Sequence, residues 1–210
     1  MQTKQSNDIS PVFSYTGTGN EAKNIMEAFI EPPVKIPFYL RIGIWITKKM
    51  TGRELLPAKI LAWYPKTAIG SGALEALVAH HDGKLDERML KIVRIQASFA
   101  AACPFCIDMN NFQSEETHIT KDELMVLQGR KSLDEVQTFS ERERLAIQYA
   151  KRVSQSPLLF PRSFIEELKR NFNEREIVIL ASTAAQVNYW ARPIQALGIP
   201  PAGFSNQCDL

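Results

Sequence analysis

Apolar residues recur along this chain at the spacing of helix faces rather than of strands. Phe164, Ile165, Leu168 and Phe172 repeat with a helical period, and Leu145, Ile147, Tyr149 and Val153 lie within one continuous amphipathic pattern. Two segments, 90–102 and 176–192, are apolar over most of their circumference, which predicts that they are the buried central helices. Alternating runs flanked by hairpin turns are missing. Helix starts are marked as well. Thr51, Thr120 and Ser140 are each followed three residues later by a Glu, the pattern of a capping box. Ser163/Glu166 and Asn173/Glu176 share the spacing, although Ser163 also fits inside a helix begun at Pro161. Five such starts are hard to reconcile with a β protein.

Pro and Gly punctuate the connections, at 32–33, 65, 70–72, 83, 129, 157–161 and 198–201. The expected fold class is therefore all-α: a single-domain helical bundle with an N-terminal helical extension. The boundaries expected are a flexible N-terminus over 1–20, a helical extension over 21–54, the main helical domain over 55–200 and a tail over 201–210. From Gly198 onward the chain reads as an extended strap lying on the body or on a neighbouring subunit. The stretch 92–98 resembles 177–182 with one residue slipped, a faint internal repeat.

Hydrophobic residues make up 45% of the 210, enough for a sizeable core, and 25 basic residues face 23 acidic ones. That balance gives no reason to expect nucleic acid as a partner. The first ten residues are polar and lack the apolar core of a secretory signal. The most apolar early stretch, 36–47, is interrupted by Arg41 and is too short to span a bilayer. No membrane association is expected, and a cytoplasmic location follows by default.

Three cysteines are too few for a disulfide scaffold. Two of them form the motif Cys103–Pro104–Phe105–Cys106, and Cys208 stands alone near the end. Pro104 cannot continue a preceding helix but suits the first position of a new one. Cys103 is then an N-cap and Cys106 lies in the first turn, where amide donors and the positive helix end favour a thiolate. Two sulfurs at this spacing suit a dithiol that is reversibly oxidised. The other readings are half of a zinc site and two ordinary buried residues. No second Cys or His pair with ligand spacing accompanies the motif, since His80, His81 and His118 are wrongly placed, so neither metal nor cofactor is expected.

The helix over 85–102, the CxxC, the polar helix after it and the helix over 176–192 resemble the carboxymuconolactone decarboxylase and alkylhydroperoxidase D superfamily. The resemblance covers about residues 55–200 and is most specific over 85–127. It implies an all-helical homo-oligomer in which a dithiol reduces peroxides and is recycled by a lipoyl-type or other dithiol donor. It further implies that Cys106 attacks the peroxide and Cys103 resolves. Two positions depart from the family pattern. Its relay Glu, twelve residues before the first Cys, is Lys91 here, and its His, four residues after the second, is Asn110. Lys91 is a candidate to stabilise a thiolate by charge, and Asn110 to hydrogen-bond a sulfur or a bound oxygen without titrating. Ser98 matches a family Ser and equally fits a helix hydroxyl bonded to its own backbone.

Replacement bases are available in the flanking elements: Glu75, His80, His81, Glu87, Glu115 and His118. Asp108 is expected to be solvated, and Tyr189, Trp190 and Arg192 to line a pocket or, in preference, to form a subunit contact. The function expected is a thiol-dependent oxidoreductase acting on a peroxide or a disulfide. The alternatives are a carboxymuconolactone decarboxylase-like enzyme and a catalytically silent oligomeric member.

Overall fold

The computed structural model describes residues 28–78, 85–112 and 114–204, and within them the chain forms nine α-helices joined by turns and short 3-10 segments, with no strand. In order they are α1 (Phe38–Thr51), α2 (Leu56–Ile60), α3 (Pro65–Leu77), α4 (Glu87–Ala100), α5 (Pro104–Asn111), α6 (Lys121–Leu127), α7 (Glu141–Val153), α8 (Arg162–Asn171) and α9 (Glu174–Ala196). The expected 1–20 segment and residues 205–210, including Cys208, lie outside the described residues.

Three of the expected capping boxes are formed. Thr120 begins α6, Ser140 begins α7 and Asn173 begins α9, each side chain accepting from the third amide while the Glu returns the bond. Thr51 does something else. It ends α1 rather than starting a helix, and Gly52 follows in the left-handed conformation, φ 73°. Glu54, freed from capping, pairs with Lys48 at 3.0 Å and with Lys59. The error has a simple source: a Thr and a Glu three apart mark a start only where the helix runs forward, and here Gly52 stops the one behind. Ser163 sits in the first turn of α8, which begins after Pro161 without a side-chain cap.

The centre of the molecule is α4 packed against α7 and α9. One side of α4 places Leu90, Val93 and Ala97 against Leu145, Ala146, Ala150, Leu180, Ala184 and Val187. Its other side places Ile92 and Ile95 against Leu124, Leu127, Phe139 and Ile147. Burial on two sides explains why the 90–102 segment is apolar over most of its circumference, with Lys91 and Arg94 on a half-buried stripe. Each fully buried Leu or Ile contributes about 1.5–3 kcal/mol. The fully buried alanines, Ala97, Ala146, Ala150 and Ala184, let the helix backbones approach closely.

A single arginine ties this centre to its flanks. Arg88, at the start of α4, reaches Glu123 at 2.6 Å and Glu143 at 2.7 Å, the two capping-box glutamates of α6 and α7. Its third nitrogen donates to the His118 carbonyl at 2.7 Å.

The N-terminal extension behaves differently from the core. No residue of α1 is buried, and Phe38, Trp45 and Met50 are exposed on it. The segment before α1 is pinned to the end of α9 by a bond from the Phe29 amide to the Leu197 carbonyl. Gly198 follows, with φ +63°, and a Cβ there would collide with the Phe29 ring. The strap expected beyond Gly198 is visible as far as Phe204. Arg53 donates to the Ala202 carbonyl at 2.8 Å, and the Phe204 ring packs at a tilt against Phe112 with centroids 5.0 Å apart.

Candidate active site

The CxxC motif sits where one helix ends and the next begins. α4 closes with paired bonds, from the Ala102 amide to Phe99 and from the Cys103 amide to Ser98, with Ala102 in the left-handed region at φ 46°. Cys103 is thus the residue that terminates α4 and, at the same time, the N-cap of α5. Its sulfur accepts from the Cys106 amide at 3.2 Å, and Pro104 occupies the first position of α5. The sulfurs of Cys103 and Cys106 are joined in a disulfide, with Cα atoms 5.2 Å apart. Both residues are buried, and Cys106, not Cys103, lines the adjoining cavity.

That cavity is an apolar cleft of about 340 Å³, and Cys106 lies in its wall with Phe105, Met109 and Asn110 of α5. One side of α1 forms the opposing lining, through Leu40, Gly43, Ile44, Thr47, Met50 and Thr51, a stripe at helical spacing. α9 adds Gln186, Val187, Trp190 and Ile194, and α3 adds Ala68, Gly72 and Glu75. Gly43 and Gly72 stand inside helices with open space where a Cβ would be. Each costs its helix about 0.5–1 kcal/mol relative to Ala.

Among the described residues, the charged groups lining the cleft are Glu75 and Arg94. Arg94 donates to Gln186 Oε1 at 3.0 Å, and Gln186 Nε2 in turn donates to Glu75 Oε2 at 2.7 Å. Trp190 Nε1 donates to the same Glu75 oxygen at 2.9 Å. Burial pushes Arg94 below its ordinary pKa, against the pull of the Glu75 charge.

The sequence candidates are dispersed by the fold. Asn110 lines the cleft, and its Nδ2 donates to Ser98 Oγ and to the Cys106 carbonyl, both at 2.9 Å. Ser98 Oγ itself donates to the Arg94 carbonyl at 2.8 Å, so the family-like Ser links α5 to α4. Lys91 turns to the Phe112 carbonyl at 2.6 Å, just past the end of α5, rather than into the cleft. Desolvation, with the Arg94 charge adding to it, lowers the Lys91 pKa to about 8. Asp108, expected to be solvated, is fully buried, because α5 is enclosed on that side too. Trp190, expected to line a pocket or to form a subunit contact, lines the cleft. Tyr189 beside it bonds Ser71 at 2.6 Å. His118 is exposed and engages Arg88 through its carbonyl. Glu87 is exposed in the first turn of α4. His80, His81 and the Glu115 side chain lie outside the described residues.

Arg94 and Gln186 were not singled out from sequence. Their signal is limited: each is a polar residue in a stretch that is apolar over most of its circumference, 90–102 or 176–192, but each shares it with other polar residues. Among the described residues no three His, Cys, Asp or Glu side chains gather to hold a metal ion. No helix among them is long and apolar enough to cross a membrane.

No protein-family model matches the chain. It is 27% identical over 178 residues to the uncharacterized protein YnjA of Escherichia coli (strain K12), covering 82% of this chain and 94% of that one. Among solved structures it resembles the alkylhydroperoxidase AhpD core of an uncharacterized peroxidase-related protein from Ralstonia eutropha JMP134. The TM-score is 0.71 at 16% identity, over 84% of this chain and 93% of the other. The debrominase Bmp8, solved in complex with 2,3,4-tribromopyrrole, matches with a TM-score of 0.72 at 17% identity, over 86% and 95% of the two chains. These likenesses are of fold: the all-helical architecture is that of the alkylhydroperoxidase D-like proteins.

Proposed function

We propose that this chain, whose fold is that of the alkylhydroperoxidase D-like proteins, is a CxxC-bearing member of their superfamily. Its function in this reading is that of a thiol-dependent oxidoreductase, reducing a peroxide or exchanging a disulfide in antioxidant defence. The observation that carries the reading is the Cys103–Cys106 pair at the start of α5 with Cys106 alone in the wall of an apolar cleft. That asymmetry supports Cys106 as the attacking sulfur and Cys103 as the resolving one.

In the peroxide reaction the Cys106 thiolate attacks the outer peroxide oxygen. The O–O bond breaks, the sulfur becomes a sulfenic acid and the alkoxide leaves as an alcohol after taking a proton. Cys103 then condenses with the sulfenic acid, releasing water and forming the disulfide. A dithiol donor reduces this disulfide by exchange and is itself left oxidised. Asn110 and Lys91 serve this cycle by holding α5: one anchors its middle to Ser98, the other its end through Phe112. The cleft is apolar and of the size that admits a small organic molecule, which favours organic peroxides or disulfides over hydrogen peroxide. A decarboxylase-like reaction would leave the dithiol without a task.

Thiol titration of the reduced protein before and after one equivalent of cumene hydroperoxide tests the reading. Two thiols should disappear and return with dithiothreitol, and mass mapping should find the Cys103–Cys106 link with Cys208 uninvolved. Thiols that survive the peroxide and a small disulfide alike would leave the silent-member reading. We further propose a homo-oligomer, because Phe38, Trp45, Met50 and Trp63 leave a large apolar surface exposed. A sedimentation profile of monomer alone at micromolar concentration would rule it out.

A further inference from the structure

A buried guanidinium in an apolar cleft is costly unless an anion compensates it. Arg94 is a half-buried guanidinium in such a cleft, and its hydrogen bond to Gln186 Oε1 is to a neutral amide. The compensating carboxylate, Glu75, stands on the far side of that amide, itself held by Gln186 and Trp190. The chain therefore lines one cleft with both a cation and the Cys106 side chain, and keeps the counter-charge one residue away from that cation. In the oxidised protein Cys106 carries no charge. On reduction it gains a thiolate that needs one.

We propose that Arg94 is the cation that stabilises the Cys106 thiolate, with Gln186 seating it and Glu75 setting its strength. It takes over a role for which Lys91 is badly placed, since Lys91 is turned to the Phe112 carbonyl. The proposal rests on the reading of Cys106 as the reactive sulfur. The other elements around the cleft add no competing charge: among the described residues, α1, α2, α5 and α9 line it with apolar, hydroxyl and amide groups. Asp108 of α5 and Lys48 and Lys49 of α1 lie outside the lining.

The consequence is a pair of opposite shifts. Removing the cation raises the thiol pKa, and removing the competing carboxylate lowers it. The test uses full-length protein carrying Cys103→Ser and Cys208→Ser, so that Cys106 is the one thiol left and the Ser still caps α5. The rate of iodoacetamide alkylation is followed against pH. Arg94→Met should move the midpoint up by about one unit, slowing alkylation at pH 7 roughly tenfold and leaving the rate at pH 10 unchanged. Arg94→Lys should recover part of the shift. Glu75→Gln, which can still accept from Gln186 and Trp190, should move the midpoint down. Glu141→Gln, exposed at the start of α7, should change nothing. Midpoints that stay put, or that move in the same direction for Arg94→Met and Glu75→Gln, would overturn the proposal and leave the network a structural tie. Should Arg94→Met fail to fold, Arg94→Lys and Glu75→Gln decide alone. Alkylation needs no peroxide, so an inactive parent would refute the peroxidase reading while these shifts still answer for Arg94. Mass mapping of the reduced parent that found Cys103 alkylated first would instead refute the reading of Cys106.

Discussion

Asn110 Nδ2 donates to Ser98 Oγ at 2.9 Å, so the residue one helical turn past Cys106 is fastened to the central helix rather than aimed at a sulfur. Asn110 stands where the family resemblance expects a titrating His, and it lines the cleft. Asn110→His should therefore raise the rate of peroxide-driven disulfide formation, by about tenfold or more, since positioned acid–base help is worth roughly 10²–10⁴. Stopped-flow Trp fluorescence of the reduced protein would measure it. A folded variant no faster than its parent would show that the proton leaves Cys106 by another route. Adding Lys91→Glu should not help further, because it sets a carboxylate against the Phe112 carbonyl.

Ala102 adopts φ 46° immediately before the dithiol. A left-handed residue with a Cβ costs about 1–2 kcal/mol, of which the added chain freedom of glycine takes back about 0.4–1. Ala102→Gly should stabilise the protein by about 0.5–1 kcal/mol, read as a higher urea midpoint at unchanged slope. A lower midpoint would mean that the Ala methyl packs usefully there.

Lys91 gives a signature at alkaline pH. Its folded pKa is lowered to about 8, so between that pH and its ordinary value near 10.4 the unfolded chain binds the extra proton. Stability should accordingly rise with pH across that window and be flat for this group below it. Lys91→Met should remove the rise, seen as a parent-minus-variant difference in Tm that changes between pH 8 and 10. A constant difference would show that Lys91 titrates normally.

Arg88 should be the most damaging single surface-reaching cation to remove. Glu123 and Glu143 are both buried beside it, and breaking such a pair costs about 3–5 kcal/mol. Against burial, which raises it, the Arg88 and Thr138 bonds hold the Glu123 carboxyl below its ordinary pKa. The stabilisation is then fully present above about pH 4.3 and lost as pH falls through the lower folded value. Arg88→Met should thus lose several kcal/mol at pH 7, and the deficit should narrow below pH 4. Urea melts at both pH values would show whether it does.

The helices were legible because capping and periodicity act within a few residues. Thr120, Ser140 and Asn173 announce their helices in sequence and cap them in the fold. Thr51 misled because its outcome depends on Gly52, whose left-handed turn ends a helix that the following Glu54 cannot restart. The dithiol was legible for the same local reason, Pro104 and the two sulfurs sharing one turn. The cleft was not. It is assembled from α1, α3, α5 and α9, and no local pattern states that Trp190 will face Glu75 from 115 positions away or that Arg94 will reach Gln186. Asp108 was misjudged because a carboxylate on a short helix reads as solvated until the enclosing helices are placed around it.

α1 forms a wall of the cleft yet buries none of its own side chains. Its detachment would uncover the cleft while leaving the packing of α4, α7 and α9 in place. The two halves of a thiol cycle make unequal demands on that wall. A small oxidant needs only to diffuse into the cleft, whereas a dithiol carried on a larger molecule must bring its own sulfur into line with the buried Cys103–Cys106 bond. If the proposed cycle runs here, a closed α1 admits the first more readily than the second. Turnover would then be gated by how often one helix lets go, and reductants would be sorted by bulk before their chemistry is ever tried.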